Sequence, residues 1–259
     1  MADGNLTIIV LGSGTSHGVP MIACDCPVCT SPDPHDKRTR PSIAVQYADT
    51  TLLIDTGPEL RVQCIANNIR RVDAILFTHA HMDHIAGLDD IRRFNWVQRQ
   101  ILPCYGLPDT LERLRVMFAY AFDLNNTDPS ATPRLVLNAI IGPFEIGGRV
   151  ITPIPLLHGT KPILGFRAGN FAYCTDVSAI PDDSRTLLEG LDVLMLDALR
   201  KRPHPTHFNL DQALAEARRI ASRRTYFTHI AHELGHEETN RTLPEGITLA
   251  YDGQVIESS

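Results

Sequence analysis

The sequence predicts an α/β protein built as a four-layer αββα sandwich, in which two β-sheets face each other and helices cover both outer faces. Two observations predict this fold class. Short apolar runs with strand character recur along the chain and fall into two halves, each of which combines strands with helical patterns. Several of these runs also end directly at a His or an Asp, so polar side chains collect where strands stop.

Composition narrows the class of protein. The 259 residues are 43% hydrophobic and 21% charged, as in a globular protein with a substantial core, and we predict a single domain over residues 1–259. A net charge of −6 and a pI near 6.0 argue against stable nucleic-acid binding, which needs a basic face. Residues 1–11 lack the basic region of a secretory signal, and no apolar run approaches the ~18 residues that span a bilayer. We expect a cytoplasmic protein without membrane contact.

The first half of the chain contains five strand patterns. Apolar runs predict strands at residues 6–11, 42–47, 51–54, 74–77 and 101–105. Pro58 can open a helix over residues 59–67, and helical spacing of apolar residues predicts helices at 85–91 and 111–122. Residues 122–133, rich in Asn, Asp and Pro, are predicted to be the least regular stretch.

Strands dominate the second half. Strand patterns occur at residues 135–140, 149–155, 163–167, 171–174, 193–196, 226–228 and 248–251, and a helix is predicted over residues 210–220. We expect Gly147 and Gly148 to form the turn between the first two of these strands, and residues 168–170 to form the turn between the next two.

The strongest chemical signal is an HxHxDH motif, made of His79, His81, Asp83 and His84, between strand 74–77 and helix 85–91. Two histidines two positions apart in extended chain point the same way, and the next residues project from the first helical turn. Imidazole nitrogens and carboxylates suit Zn, Mn or Fe, and four such groups packed together require a cation. The motif therefore predicts metal ligands.

Three further polar residues, His158, Asp176 and His229, follow later strand patterns at the point where each ends. With the motif they complete a binuclear site for two divalent ions, Mn or Zn. One ion is expected on His79, His81 and His158, and the other on Asp83, His84 and His229. Asp176 is the natural bridge, because a shared carboxylate offsets the repulsion between two dications roughly 3.5–4 Å apart.

Asp55 also ends a strand pattern. Such an acid either caps the following helix or orients a metal-bound histidine through a hydrogen bond. We favour the second role.

Cysteine spacing predicts a second metal site. Cys24, Cys26 and Cys29 follow a CxCxxC pattern, which supplies three of the four ligands of a tetrahedral structural zinc in an N-terminal loop. The fourth ligand must come from elsewhere in the chain. The remaining cysteines stand alone in apolar surroundings and are predicted to be core thiols: Cys64, Cys104 and Cys174.

The glycine-rich residues 12–18 have GxGxxxG spacing with no helical pattern after them. This favours a tight loop beside the metals over a nucleotide-binding loop. His17 in this loop could contact substrate, although a solvated loop histidine is more common.

The HxHxDH motif with downstream His158, Asp176 and His229 resembles the metallo-β-lactamase superfamily, whose fold is an αββα sandwich, and the resemblance covers essentially the whole chain. More closely, CxCxxC together with the run Thr-His-Ile-Ala-His at residues 228–232 resembles the PhnP-type phosphodiesterases associated with the carbon–phosphorus lyase pathway. That resemblance implies that His232 is the fourth zinc ligand. It also implies that Asp55 is the superfamily's strand-end acid and that His207 is an additional catalytic histidine.

The predicted function is therefore a metal-dependent phosphodiesterase. Two metals would lower the pKa of a bridging water to give a hydroxide nucleophile, with Asp83 and Asp55 supporting the site and His207 donating a proton to the leaving oxygen. The resemblance implies a small cyclic substrate, such as 5-phosphoribosyl 1,2-cyclic phosphate or a 2′,3′-cyclic nucleotide. Arg200, Lys201 and Arg202 could grip a second phosphate, although such basic runs are usually solvated. A homodimer is compatible with the sequence.

Other functions are weaker matches. A lactonase or β-lactamase would not need His207, and a protein resembling PqqB would keep CxCxxC while altering the catalytic set, which is complete here. A tRNA-processing nuclease should show a basic surface or a protruding arm. A zinc-stabilised binding module leaves seven further candidate ligands unexplained. Residues 232–236 match the HExxH protease signature, but Gly235 interrupts the helix that the signature requires.

Overall fold

Two β-sheets form the centre of the fold, and their strands follow the apolar runs of the sequence. The computed structural model describes residues 5–122 and 132–258. Within these residues the strands are β1 (Leu6–Gly12), β2 (Ser42–Tyr47), β3 (Thr50–Ile54), β4 (Ala74–Leu76), β5 (Leu102–Gly106), β6 (Leu135–Ala139), β7 (Phe144–Ile146), β8 (Arg149–His158), β9 (Lys161–Ala168), β10 (Phe171–Cys174), β11 (Val193–Asp197), β12 (Arg224–Thr228), β13 (Ile247–Leu249) and β14 (Val255–Ser258).

Each sheet contains a parallel half. The first sheet has the order β14-β1-β2-β3-β4-β5-β6, and the second has the order β13-β12-β11-β10-β9-β8-β7. Strands β3 to β6 run parallel to one another, as do β10 to β13. Because the carboxyl ends of parallel strands meet at one edge of a sheet, residues that follow these strands gather there.

Helices cover the outer faces of the two sheets. In the described residues the α-helices are α1 (Leu60–Ala66), α2 (Met82–Ile85), α3 (Arg92–Gln98), α4 (Pro108–Met117), α5 (Asp182–Thr186), α6 (Leu210–Ile220) and α7 (His236–Asn240). Helix α6 starts where its sequence predicts, because Asn209 accepts the backbone N–H of Gln212 while the Gln212 side chain accepts the backbone N–H of Asn209.

Three apolar clusters separate four layers. Between the sheets, side chains of the first sheet such as Ile8 and Leu52 pack with Phe166 and Tyr173 of the second. On the outer face of the first sheet, Ile75 belongs to a cluster that includes helix α1 and helix α4. The outer face of the second sheet packs in the same way against α6. The predicted αββα sandwich is therefore confirmed.

The predicted helix over residues 85–91 is wrong. The chain instead forms α2, a 3₁₀ turn over Leu88–Ile91, and then α3, which the sequence analysis did not identify. The break falls at Gly87, whose N–H donates to the carbonyl of Thr56. A Cβ at Gly87 would lie 2.1 Å from the carbonyl oxygen of Gly57, so a close approach of two chain segments ends α2.

The predicted turn at Gly147 and Gly148 exists but joins different strands. It connects β7 to β8, whereas β6 lies in the other sheet beside β5. Strand β14, which the sequence analysis did not identify, pairs with β1 at the edge of the first sheet. The irregular stretch predicted at residues 122–133 lies largely outside the described residues. In the part of the chain that is described, no helix is long and apolar enough to cross a membrane.

Candidate metal and catalytic site

The predicted site residues lie where strands of both sheets end. Asp55 follows β3, His158 ends β8, Asp176 stands two residues after β10, and His229 follows β12. The HxHxDH motif follows β4 and runs into α2. The two sheets therefore supply opposite walls of one site.

Seven of these side chains form two groups that share Asp176. The first group is His79, His81, His158 and Asp176, and the second is Asp83, His84, Asp176 and His229. Within each group, one ligand atom from every residue lies within 4.8 Å of the others. The grouping is the one that the sequence analysis expected.

The carboxylate of Asp176 faces both groups. Its Oδ1 lies 3.2 Å from Nε2 of His84 and 3.3 Å from Nε2 of His229, and its Oδ2 lies 3.7 Å from Nε2 of His79. Because each oxygen faces a different group, this carboxylate has the orientation that a bridging ligand requires.

In two of the histidines, a hydrogen bond at Nδ1 fixes which ring nitrogen faces the ligand groups. Nδ1 of His84 lies 2.7 Å from Oδ2 of Asp55, and Thr78 donates to the same carboxylate through its N–H and its hydroxyl. Nδ1 of His158 likewise donates to the carbonyl of Asp176 over 2.8 Å. In both histidines Nε2 is left free to bind a ligand. Asp55 thus contacts His84 and does not cap helix α1, whose N-cap is Glu59.

The backbone turns sharply at three of these residues. Asp55, Asp176 and His229 have φ angles of 64°, 60° and 60°, in the left-handed region. Asp and His tolerate this region better than most residues, but each instance still costs on the order of 1 kcal/mol. Backbone strain at three of the strand ends that supply this site is typical of a functional site.

The donor set fits divalent metal ions. Among the described residues, Nε2 of His79, His84 and His229 are buried and lack a hydrogen-bond partner, a cost of about 1–3 kcal/mol for each group left unsatisfied. Burial, reinforced by nearby His84, lowers the pKa of His79 well below its ordinary value, so its ring is neutral with a lone pair available. At His84 and His229 burial is outweighed by nearby carboxylates, chiefly Asp176, which raise the pKa of both rings, and a bound dication would take the place of those protons. Imidazole nitrogens around buried carboxylates are ligands that such ions prefer.

His207 lies at the open side of this cluster. Its Nε2 is 4.0 Å from Oδ2 of Asp176, and its Nδ1 is 3.3 Å from Oδ2 of Asp197. Burial, together with the nearby ring of His229, lowers the pKa of His207 to about 4.

Asp197 is a further buried acid of the site that was not predicted from the sequence. This residue ends β11 and is completely buried, and it accepts the backbone N–H of Phe208 over 3.0 Å. It also approaches Nδ1 of His229 to 3.7 Å. The signal that could have found it is the one that identified Asp55: an acid at the end of an apolar strand.

The CxCxxC cysteines form a separate cluster with His232. The sulfur atoms of Cys24, Cys26 and Cys29 lie 3.2, 3.5 and 3.5 Å from Nδ1 of His232. Three thiols and one imidazole are a donor set that fits a tetrahedral zinc ion. The other cysteines are buried in apolar clusters, as predicted: Cys64, Cys104 and Cys174.

The three basic side chains at residues 200–202 contact different partners in the structure. Lys201 pairs with Glu238 at 3.2 Å and Arg202 with Glu233 at 2.6 Å, both at the surface. Arg200 instead donates to backbone carbonyls. The HExxH match does not form a protease site, because α7 begins only at His236 and His232 precedes it.

Comparison with known proteins agrees with this geometry. The family model of the beta-lactamase superfamily domain matches residues 50–230. The crystal structure of a diphosphatase from the PhnP family is 46% identical, covers 98% of this chain and 97% of that one, and superposes with a TM-score of 0.92.

Two related proteins have names that do not describe a hydrolase. An octanoyltransferase of Porphyromonas gingivalis (strain ATCC BAA-308 / W83) is 36% identical over 250 residues, which are 95% of this chain and 50% of that protein. The chain thus spans half the length of this relative. Coenzyme PQQ synthesis protein B of Methylobacterium sp. (strain 4-46) is 30% identical, over 73% of this chain and 71% of that protein. The chain belongs to the beta-lactamase superfamily and is of the PhnP type.

Proposed function

We propose that this protein is a phosphodiesterase with two catalytic metal ions that hydrolyses small cyclic phosphodiesters, such as 5-phosphoribosyl 1,2-cyclic phosphate or 2′,3′-cyclic nucleotides. The observation that carries the proposal is the pair of ligand groups that share Asp176, with His207 beside them. A relative described as a diphosphatase, 46% identical, supports chemistry at phosphorus.

The proposal divides the candidate ligands between two metal ions. His79, His81 and His158 would hold one divalent ion and Asp83, His84 and His229 would hold the other, with Asp176 available to both. When bound, Mn or Zn ions would activate a water for attack and neutralise charge on the phosphoryl oxygens. Asp55 holds the ring of His84 so that Nε2 points to the site.

His207 serves as the proton donor to the leaving oxygen. Asp197 contacts its Nδ1, and Nε2 is left on the side of Asp176, where the reacting group must lie. The low pKa of the ring means that a proton on Nε2 needs nearby negative charge. A phosphodiester anion beside Nε2 supplies negative charge that favours the protonated ring.

The Cys₃His cluster is proposed to hold one structural zinc. His232 is three residues beyond His229, and the backbone of Ile230 between them hydrogen-bonds with Ser13 and Thr15 in the glycine-rich loop. A zinc ion would therefore fix the N-terminal loop beside a catalytic ligand, and its loss would loosen the site.

A panel of substrates tests the function. Metal-reconstituted protein is assayed side by side on bis(p-nitrophenyl) phosphate, 2′,3′-cyclic nucleotides, a lactone and nitrocefin, with His81→Ala as the control that lacks a ligand. We expect turnover of the phosphodiesters that depends on His81. Activity confined to the lactone and nitrocefin would contradict the proposal, since it would assign this site to carbonyl chemistry.

A further inference from the structure

A large cavity lies on the outer face of the first sheet, apart from the candidate catalytic site. It has a volume of about 660 Å³ and lies between helix α1 and residues 90–97, which include most of α3. None of the candidate metal ligands lines it. The cavity is therefore a feature of the fold that the proposed phosphodiesterase activity does not use.

The floor of this cavity is apolar. Leu60, Cys64 and Ile69 are buried members of the cluster on the outer face of the first sheet. Ile65 and Val97 also line the cavity, and they are 65% and 55% exposed. Aliphatic side chains that face water in a concave site lose that water when an apolar group enters, which favours binding. The floor therefore favours a ligand with an apolar body.

Four arginines surround the apolar floor, two from each wall. Arg61 and Arg70 come from α1 and the loop after it, whereas Arg92 and Arg93 come from α3. Among the lining residues in the described part of the chain, Asp90 alone is acidic. Burial raises the pKa of Asp90, and the nearby charge of Arg61 opposes that rise. A chain with a net charge of −6 thus has a positive balance at this cavity.

Two of these arginines keep their charge available. Arg92 pairs with Asp89 at 3.3 Å. Arg70 donates from Nε to the Asn68 side chain over 2.6 Å, and that acceptor is neutral. Within residues 5–122 and 132–258, no carboxylate lies within 4.0 Å of the guanidinium of Arg70 or of Arg93. Each wall of the cavity therefore offers one uncompensated guanidinium to an anionic ligand.

We propose that this cavity binds a small amphipathic anion, a molecule that joins an apolar body to one acidic group such as a carboxylate or a sulfonate. The volume lies within the roughly 300–1,000 Å³ of small-molecule pockets, so the whole ligand can enter. A second copy of this chain fits less well, because a symmetric contact would bring the same arginines together. The inference does not depend on the phosphodiesterase function.

A matched pair of fluorescent probes tests the charge preference. 8-Anilino-1-naphthalenesulfonate carries a sulfonate, and N-phenyl-1-naphthylamine has the same aromatic body without it. Titration of the metal-reconstituted protein, followed by probe emission, gives Kd for each. Arg93→Gln should weaken binding of the sulfonate about threefold or more and leave the neutral probe unchanged. Arg113→Gln, at an exposed arginine of α4 outside the cavity, should change neither Kd.

A second pair of variants tests the location. Ile65→Ser should weaken binding of both probes about threefold or more, because it removes apolar surface from the cavity. Val116→Ser is the matched control and should change neither Kd, since Val116 is 64% exposed but lies outside the cavity.

Three results would overturn the site. The first is no saturable binding of either probe to the wild-type protein. The second is an unchanged Kd for the sulfonate in Arg93→Gln or in Ile65→Ser. The third comes from sedimentation velocity: a dimer that Ile65→Ser dissociates and Val116→Ser does not would assign this surface to self-association.

Discussion

Asp197 and His207 meet in a buried contact of 3.3 Å between Oδ2 and Nδ1. The same carboxylate accepts the N–H of Phe208 and lies 3.7 Å from the ring of His229. One acid at the end of β11 therefore contacts a candidate proton donor and lies beside a candidate metal ligand.

Replacing Asp197 by Asn tests this arrangement. Asn can still accept from Phe208 but cannot stabilise a protonated His207, so we expect kcat to fall by about tenfold or more with little change in KM. Metal content should be retained. Steady-state kinetics and elemental analysis measure both, with the exposed Asp183→Asn as the matched control. Wild-type turnover in Asp197→Asn would remove this carboxylate from the mechanism.

His207→Ala should keep its metals and lose roughly 10²-fold in kcat on a cyclic alkyl ester, because proton donation to the leaving oxygen is lost. The loss should be smaller on bis(p-nitrophenyl) phosphate, since p-nitrophenolate leaves without a proton. The comparison of the two kcat ratios is the measurement. Equal losses on both esters would mean that His207 does not protonate the leaving group.

His81→Ala should lose metal and activity together, because it removes a ligand from the group around His79 and His158. Elemental analysis after reconstitution should show fewer divalent ions per chain than in the wild-type protein. His35→Ala, which alters a histidine that packs against His236 outside both groups, is the control and should keep full occupancy. Full occupancy in His81→Ala would exclude this residue as a ligand.

Cys26→Ala should cost zinc and stability before it costs catalytic metal. A structural zinc contributes to the free energy of folding, so its loss should lower Tm. Cys64→Ala, at a buried thiol outside the cluster, should keep its zinc. A Cys26→Ala protein with full zinc occupancy would refute the Cys₃His site.

Features that depend on local sequence were predicted well. Strand β2 and helix α6 have the predicted bounds, because an apolar pattern and a capping residue mark their ends within a few positions. Asp176 and His229 were predicted as site residues for the same reason, because an apolar run that stops at a polar residue is visible in the sequence alone.

Features set by distant contacts were missed. The break at Gly87 depends on the approach of Gly57, some thirty positions away. The assignment of β6 and β7 to different sheets depends on partners that short strands do not encode. Asp197 carried the right local signal, but its role appears only when His207 and His229 are placed beside it.

Anomalous diffraction from crystals of the manganese-reconstituted protein tests the central claim most directly. We expect two manganese peaks roughly 3.5–4 Å apart on either side of Asp176. One should lie among His79, His81 and His158, and the other among Asp83, His84 and His229. An absence of peaks after reconstitution, or manganese bound away from Asp176, would contradict it.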